Sequence, residues 1–388
     1  MTPPTATDTG KNSLGCFLCG SRDIELIGLP FPFFQHMNYH PLPDSRAAEY
    51  RCRCCQMIFP DQSGEEQKIR DLYRSKEYAA TRPSIHYSVV KESESPVTPY
   101  FLVANIIYKL LKKKSPRILD IGCFDGKLLQ ELDRRYDAAE LHGFDVSEHI
   151  GALFPNKENF RFWQGSVADI EGEFDLVVSM NYLLYVEDIH NVMNKIFSML
   201  NEKGVLFVLV PDISKNNQSI LLGDEFAYFT PNTLKNFFLH YGYDLEILDS
   251  TEMFPRHVLG VVRAGATTNE PDTYLVDREV HGAQEYLIDL KRKLENIKER
   301  SEASTSSGRL AVLGIKLNAA VTHSVLGDVI DFFVDENPSA DGQTFLGKPV
   351  HHPRVLGRED TVITPLGRTS EPIKQRFEQM YGGTFVCV

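Results

Sequence analysis

The sequence predicts an α/β protein in three parts: a cysteine-rich metal module, a central Rossmann-like domain, and a smaller Rossmann-like α/β domain at the C-terminus. Two C-x-x-C pairs, CFLC at 16–19 and CRCC at 52–55, predict the first part. The stretch RILDIGCFDGKLLQ at 117–130 reads as strand, glycine turn and helix, which opens the second. RLAVLGIKLNAAVTHSVLG at 309–327 repeats that pattern and opens the third.

The 388 residues, 42% of them apolar, are enough for two or three cores. A formal charge of -12, with basic runs no longer than KLLKKK at 109–114, excludes a nucleic-acid partner. No apolar run reaches the roughly 20 residues of a membrane span. The start, MTPPTATDTGKNS, is polar and lacks a signal-peptide core. The expectation is a cytoplasmic protein with no membrane partner and a frayed tail over 1–12.

In the module at 13–65, each C-x-x-C turn points two thiolates at one ion. Cys16, Cys19, Cys52 and Cys55 are therefore expected to form the closed tetrahedral site of a structural zinc ion. Cys54 is a spare thiol, and His36 and His40 are loop or packing residues. A reducing compartment argues against paired disulfides. Segment 66–94 is polar and partly helical, and of Tyr73, Tyr78, Tyr87 and Tyr100 most are expected at the surface or in packing, with room for one to reach a substrate.

The central domain is expected over 95–270. A dinucleotide turn needs G-x-G-x-x-G, because a pyrophosphate must approach bare backbone. Here only Gly122 and Gly126 are present, and Asp125 adds an acid, which suits a ligand without pyrophosphate. Asp120, at the strand end, welcomes an amino group. LHGFDVSE ends a second strand at Asp145, where a carboxylate can accept both hydroxyls of a ribose. Further strands are expected in FRFWQGSVADI, FDLVVSMNYLLYVED and GVLFVLVPD, and YDLEILDSTEMFPRHVLGVVRA closes the sheet as an antiparallel pair. Within the linker at 271–307, residues 277–301 read as a charged amphipathic helix. The C-terminal domain, 308–388, has Gly314 at its first turn and Asp335 at a strand end.

The D-x-G-x-x-x-G of Asp120 to Gly126, the acidic strand end at Asp145 and FDLV at 174–177 together resemble class I methyltransferases that use S-adenosylmethionine. The resemblance implies that Asp120 and Gly122 face the methionine end of that cofactor, Asp145 its ribose, and Ser166 with Val167 its adenine edge. It also places Gly126 and Asn181 among the cofactor-binding residues. The family often has Asp where Ser166 stands.

The order of the three parts, with VDENPSADGQTFLGKPV at 334–350, resembles the three-domain zinc-containing C-methyltransferases of nucleotide-linked deoxysugars, with Leu346 in place of a proline. By that resemblance the C-terminal domain helps to hold substrate, and the acceptor is a nucleotide sugar or related metabolite.

Two motifs depart from that family. Its N-x-L-x-H-V-x-D appears as NYLLYVED at 181–188, with Tyr185 at the histidine position. Its Y-x-E-H-x-x-Y-F appears as LGDEFAYF at 222–229, so Leu222, Asp224 and Glu225 replace tyrosine, glutamate and histidine. Carbon methylation beside a ketone needs a base to form an enolate, whereas an oxygen or nitrogen nucleophile needs positioning and the loss of one proton. A tyrosine with its ordinary pKa near 10 is mostly protonated at neutral pH. Asp224 and Glu225 are therefore the expected bases, with Tyr185 a hydrogen-bond donor. Nothing in the spacing selects His86 or His257.

The expected function is methyl transfer to a small biosynthetic metabolite, with carbon, oxygen and nitrogen acceptors all open. The alternative is a scaffold that binds S-adenosylmethionine or a sugar nucleotide without methyl transfer, as loss of both histidines would allow.

Overall fold

The structure, a computed structural model, describes residues 14–35, 39–41, 49–61, 65–76, 98–249, 251–265, 273–303, 308–367 and 370–388. The tail at 1–12 and His36, Tyr78, His86 and Tyr87 lie outside the described residues.

Three sheets correspond to the three expected parts. The first is antiparallel and joins β1 (Ile24–Ile27), β2 (Glu49–Cys52) and β3 (Ile58–Pro60) in sequence order. Helix α1 (Glu66–Arg74) follows and buries Ile69 and Tyr73. Helix α2 (Pro99–Leu110) then begins the central domain. Thr98 caps it by accepting from the amide of Phe101, and Pro99 at the first helical position forfeits no bond.

The central sheet has seven strands: β4 (Arg117–Ile121), β5 (Glu140–Asp145), β6 (Phe160–Gln164), β7 (Phe174–Met180), β8 (Leu200–Pro211), β9 (Glu246–Ile247) and β10 (His257–Arg263). Their spatial order is β6-β5-β4-β7-β8-β10-β9. The strands from β6 to β8 are parallel, and β10 runs antiparallel to β8 with Gly260 opposite Val208. Strands covered on both faces need continuous apolar runs, and β4 and β7 supply them, with Ile118, Leu119, Leu176, Val177 and Val178 fully buried. Helices α3 (Lys127–Asp133), α4 (Ile189–Met199) and α5 (Pro231–His240) belong to this domain. Leu128, Leu129 and Leu132 of α3 are buried on its sheet-facing side, as the sequence spacing predicts. The sheet order reverses between β4 and β7. Ligands of open α/β sheets lodge at such a switch point, outside the carboxyl ends of the strands.

Helix α6 (Glu279–Ala303) realises the amphipathic helix and buries Val280, Ala283, Leu287, Leu290 and Leu294 along one stripe. The third sheet contains β11 (Leu310–Leu313), β12 (Phe332–Val334), β13 (Thr344–Phe345), β14 (Lys348–His351), β15 (Thr361–Thr364) and β16 (Thr384–Cys387), in the order β13-β14-β12-β11-β15-β16. All pairs are parallel except β13 with β14. Helices α7 (Leu317–Leu326) and α8 (Ser370–Met380) accompany it.

The cores are shared between parts. Cys16, Cys52, Cys55 and Met57 pack in one cluster with Leu234, Phe237 and Phe238 of α5. Phe34 and Ile58 pack in another with Leu221, the α6 stripe and Val312 of β11.

Candidate active site and metal centre

The first turn of the central domain is stapled to its neighbour strand. The amides of Gly122 and Cys123 both donate to the carbonyl of Phe144, at 2.8 and 3.0 Å, and Gly126 donates back to Cys123 at 3.0 Å. The carboxylate of Asp145 accepts from the amides of Phe124 at 3.2 Å and Ser147 at 3.0 Å. Gly122 sits at φ +76°, and a Cβ there would stand 2.9 Å from the ring of Tyr182. At Gly126, φ +70°, a Cβ would stand 2.8 Å from Pro155 and 3.0 Å from Phe154. Bare backbone at Gly126 thus serves the packing of the turn.

A cavity of about 250 Å³ opens at the switch point. One part of its wall is Asp120, Gly122 and Phe124 from the end of β4 and its turn, with Asn181 from the end of β7. Asp120 is 3% exposed. Burial, and then the charge of Asp145, push its carboxyl up to about 7. Asn181 holds a left-handed backbone at φ +56°, anchored by its amide to the carbonyl of Leu209 at 2.8 Å. Its side-chain oxygen is buried and accepts no hydrogen bond among the described residues. A strained backbone that presents a spare acceptor is a mark of a ligand site. Another part of the wall is Tyr100 at the start of α2, with Arg256 and His257 where the closing hairpin enters β10. Burial, and then the neighbouring charge of Arg256, lower the His257 imidazole to about 4, so it is neutral at physiological pH.

Of the residues expected at a cofactor, Asp120, Gly122 and Asn181 meet in this cavity. Asp145 adjoins it through Phe124. Gly126 lies behind the turn as the N-cap of α3. Ser166 is exposed and caps a short 3-10 turn at Val167–Asp169, and Val167 is buried beneath it. Arg256 and His257 came from no motif. They reach the cavity at the start of β10, which the antiparallel pairing with β8 sets beside the ends of β4 and β7.

The acidic pair is buried. Asp224 and Glu225 are each 3% exposed, although the DEF segment lies in the loop before α5. That loop is held on several sides: Gly223 donates to Phe34 at 3.0 Å, Phe226 to Leu184 at 2.7 Å and Tyr228 to Ile58 at 2.9 Å. Thr230 then caps α5, exchanging bonds with Thr233. The hydroxyl of Tyr73 donates to Asp224 at 3.1 Å and that of Tyr185 to Glu225 at 3.4 Å, with the two rings 4.8 Å apart. Burial, and then the charge of Asp224, hold the Glu225 carboxyl well above its ordinary value. Tyr73 is thus a partner of the acid pair, which its sequence position gave no means to select. Glu49 of β2, 1% exposed, lies near enough for the charge of Glu225 to raise its carboxyl.

The sulfur atoms of Cys16, Cys19, Cys52 and Cys55 all lie within 4.8 Å of one another, whereas Cys54 is exposed and is not a member of the group. Cys16 and Cys55 are 3.4 Å apart and Cys19 and Cys52 3.5 Å. An ion with metal–sulfur bonds of about 2.3 Å requires a tetrahedral edge of roughly 3.8 Å, so the donor set fits zinc in kind and in size. His40, the described histidine of the intervening loop, is not in the group.

Residues 99–247 match the family model described as a methyltransferase domain. Trans-aconitate 2-methyltransferase of Deinococcus radiodurans is 31% identical over 97 residues, covering 24% of this chain and 38% of that protein. Malonyl-[acyl-carrier protein] O-methyltransferase of Magnetococcus marinus is 29% identical over 99 residues, covering 24% and 36%. The chain thus spans less than half the length of these two relatives. Among solved structures, magnesium protoporphyrin IX methyltransferase of Synechocystis PCC 6803 is similar at 13% identity, with 51% of this chain and 99% of that chain covered and a TM-score of 0.38.

Proposed function

We propose that the chain is an S-adenosylmethionine-dependent methyltransferase whose acceptor is a small biosynthetic metabolite, a nucleotide-linked sugar. The observation that carries the reading is the cavity at the switch point. Its wall has an acidic part, Asp120 with the spare oxygen of Asn181, and a basic part, Arg256. An amino acid zwitterion matches such a wall, ammonium to the first and carboxylate to the second. S-adenosylmethionine carries that zwitterion, and the methyltransferase-domain match covers the strands that end at Asp120 and Asn181.

In this reading Asp145 receives the ribose hydroxyls, and Ser166 with Val167 meets the adenine edge. The cofactor supplies an activated methyl group when bound. The protein positions the acceptor and removes its proton. Glu225 suits that task, because its burial and its neighbour Asp224 give it a proton affinity above that of an ordinary carboxylate. Tyr185 and Tyr73 orient the two carboxyls. The four cysteines hold one structural zinc ion and contribute no chemistry to transfer.

Calorimetric titration with S-adenosylmethionine and S-adenosylhomocysteine tests the cofactor site. Binding of both is expected, and binding of neither would sink the reading.

A further inference from the structure

We propose that His257 is a second anchor for the amino-acid carboxylate of the cofactor: it donates a ring N–H beside Arg256, and so makes the cavity select adenosyl ligands that keep that carboxylate. The inference rests on the methyltransferase reading for the identity of the ligand.

The glycine turn has little to offer such a group. The amides of Gly122, Cys123 and Phe124, the turn residues that line the cavity, are committed to the carbonyl of Phe144 and the carboxylate of Asp145. A carboxylate in this cavity therefore draws its hydrogen bonds from side chains. Asp120 is an acceptor when ionised, and the unpartnered atom of Asn181 is an oxygen. Tyr100, Arg256 and His257 remain as donors in the wall.

The backbone holds His257 in place. Its amide donates to the carbonyl of Phe254 at 3.1 Å, the carbonyl of Arg256 accepts from the amide of Asp212 at 2.9 Å, and His257 opens β10 opposite Pro211 of β8. Phe254, also in the wall, meets the imidazole edge to face with centroids 6.2 Å apart. The half-buried imidazole makes no hydrogen bond of its own among the described residues. A ring held in a cavity wall without a protein partner keeps its N–H for a ligand.

Its neutrality suits the place. A second cation beside Arg256 would be repelled in the empty cavity, whereas a neutral imidazole still carries one N–H. The guanidinium supplies the charge, and the imidazole adds a directional bond to the same carboxylate.

The test uses the full, zinc-loaded chain as wild type, His257→Leu and His257→Phe. Dissociation constants are measured by calorimetry for S-adenosylhomocysteine and for its decarboxylated amine, which keeps the adenosine and the ammonium. Both variants should bind S-adenosylhomocysteine about tenfold more weakly or worse, the scale of one hydrogen bond to a charged group, and the amine within about twofold of wild type. The two replacements differ in shape and share only the loss of the N–H; if one does not fold, the other carries the test. Affinity for S-adenosylhomocysteine within about threefold of wild type would overturn the proposal. So would an equal loss for the two ligands, which would give His257 a purely structural part. Absence of S-adenosylhomocysteine binding to the wild type would instead strike the methyltransferase reading.

Discussion

The side-chain amide of Asn236, fully buried on α5, donates to the carbonyl of Cys55 at 3.1 Å. The same side chain exchanges two bonds with Leu275, at 2.8 Å each. One residue of the central domain thus clamps both the second cysteine turn and the approach to α6.

Metal loss should therefore be felt beyond the module. Elemental analysis is expected to find one zinc per chain, and Cys16→Ser should lose it and lower the melting temperature of the whole protein. Asn236→Ala, which strands the Cys55 carbonyl, should cost about 1–3 kcal/mol in denaturant titration. A metal-free wild type of full stability would refute the zinc assignment.

Asp145 does two tasks, closing the turn through Phe124 and, by our reading, receiving the ribose. Asp145→Ala should weaken S-adenosylmethionine at least tenfold by calorimetry, the size of a charged hydrogen bond of roughly 1.5–3 kcal/mol. Asp145→Asn should fall between the two. Unaltered affinity in the alanine variant would remove Asp145 from the site.

The glycines separate strain from crowding. Gly122→Ala meets both a positive φ and the Tyr182 ring at 2.9 Å, so a loss of about 2–3 kcal/mol with weaker cofactor binding is expected. Gly314→Ala has φ +89° but open space around it, and should cost only about 1 kcal/mol with cofactor binding intact. Equal effects of the two would show that the Tyr182 contact is dispensable.

Asp120 gives a pH signature of opposite sign for folding and for binding. Its carboxyl titrates at about 7 in the folded chain against 3.8 as its ordinary value, so the folded state keeps a proton that the unfolded state has released. Its stabilising effect is complete below about 4 and is lost as pH rises through about 7. Asp120→Asn should therefore gain stability over wild type at pH 8 and not at pH 3.5. Cofactor binding runs the other way, because an ammonium favours the ionised carboxylate. Affinity should rise between pH 5 and 7 in the wild type and stay flat in Asp120→Asn; the same profile in both would exclude Asp120 from the ammonium site.

The acid pair is checked by turnover. Glu225→Gln should cut methyl transfer at least a hundredfold, the usual scale of general-base loss, and leave cofactor affinity unchanged. Retained turnover would shift the proton transfer to another group.

What the sequence revealed is what local spacing encodes. The glycine turn, the acid that ends β5 and the cysteine pairs announce themselves within a few residues, since each is one turn's worth of geometry. The helix at 277–301 appears at 279–303 because its apolar stripe repeats at helical spacing. Arg256 was not legible, and nothing local selected His257 or Tyr73 from the other histidines and tyrosines. Each enters its site through contacts between distant parts of the chain.

The stripe on α6 has a further consequence. Leu287, Leu290 and Leu294 share a cluster with Phe34 and Ile58 near the N-terminus and with Val312 in the last sheet. A fragment cut after the central domain would therefore expose Phe34 and Ile58 near its start and Leu221 within it. The chain has three sheets but fewer cooperative units, and heating should melt it in fewer steps than its architecture would count.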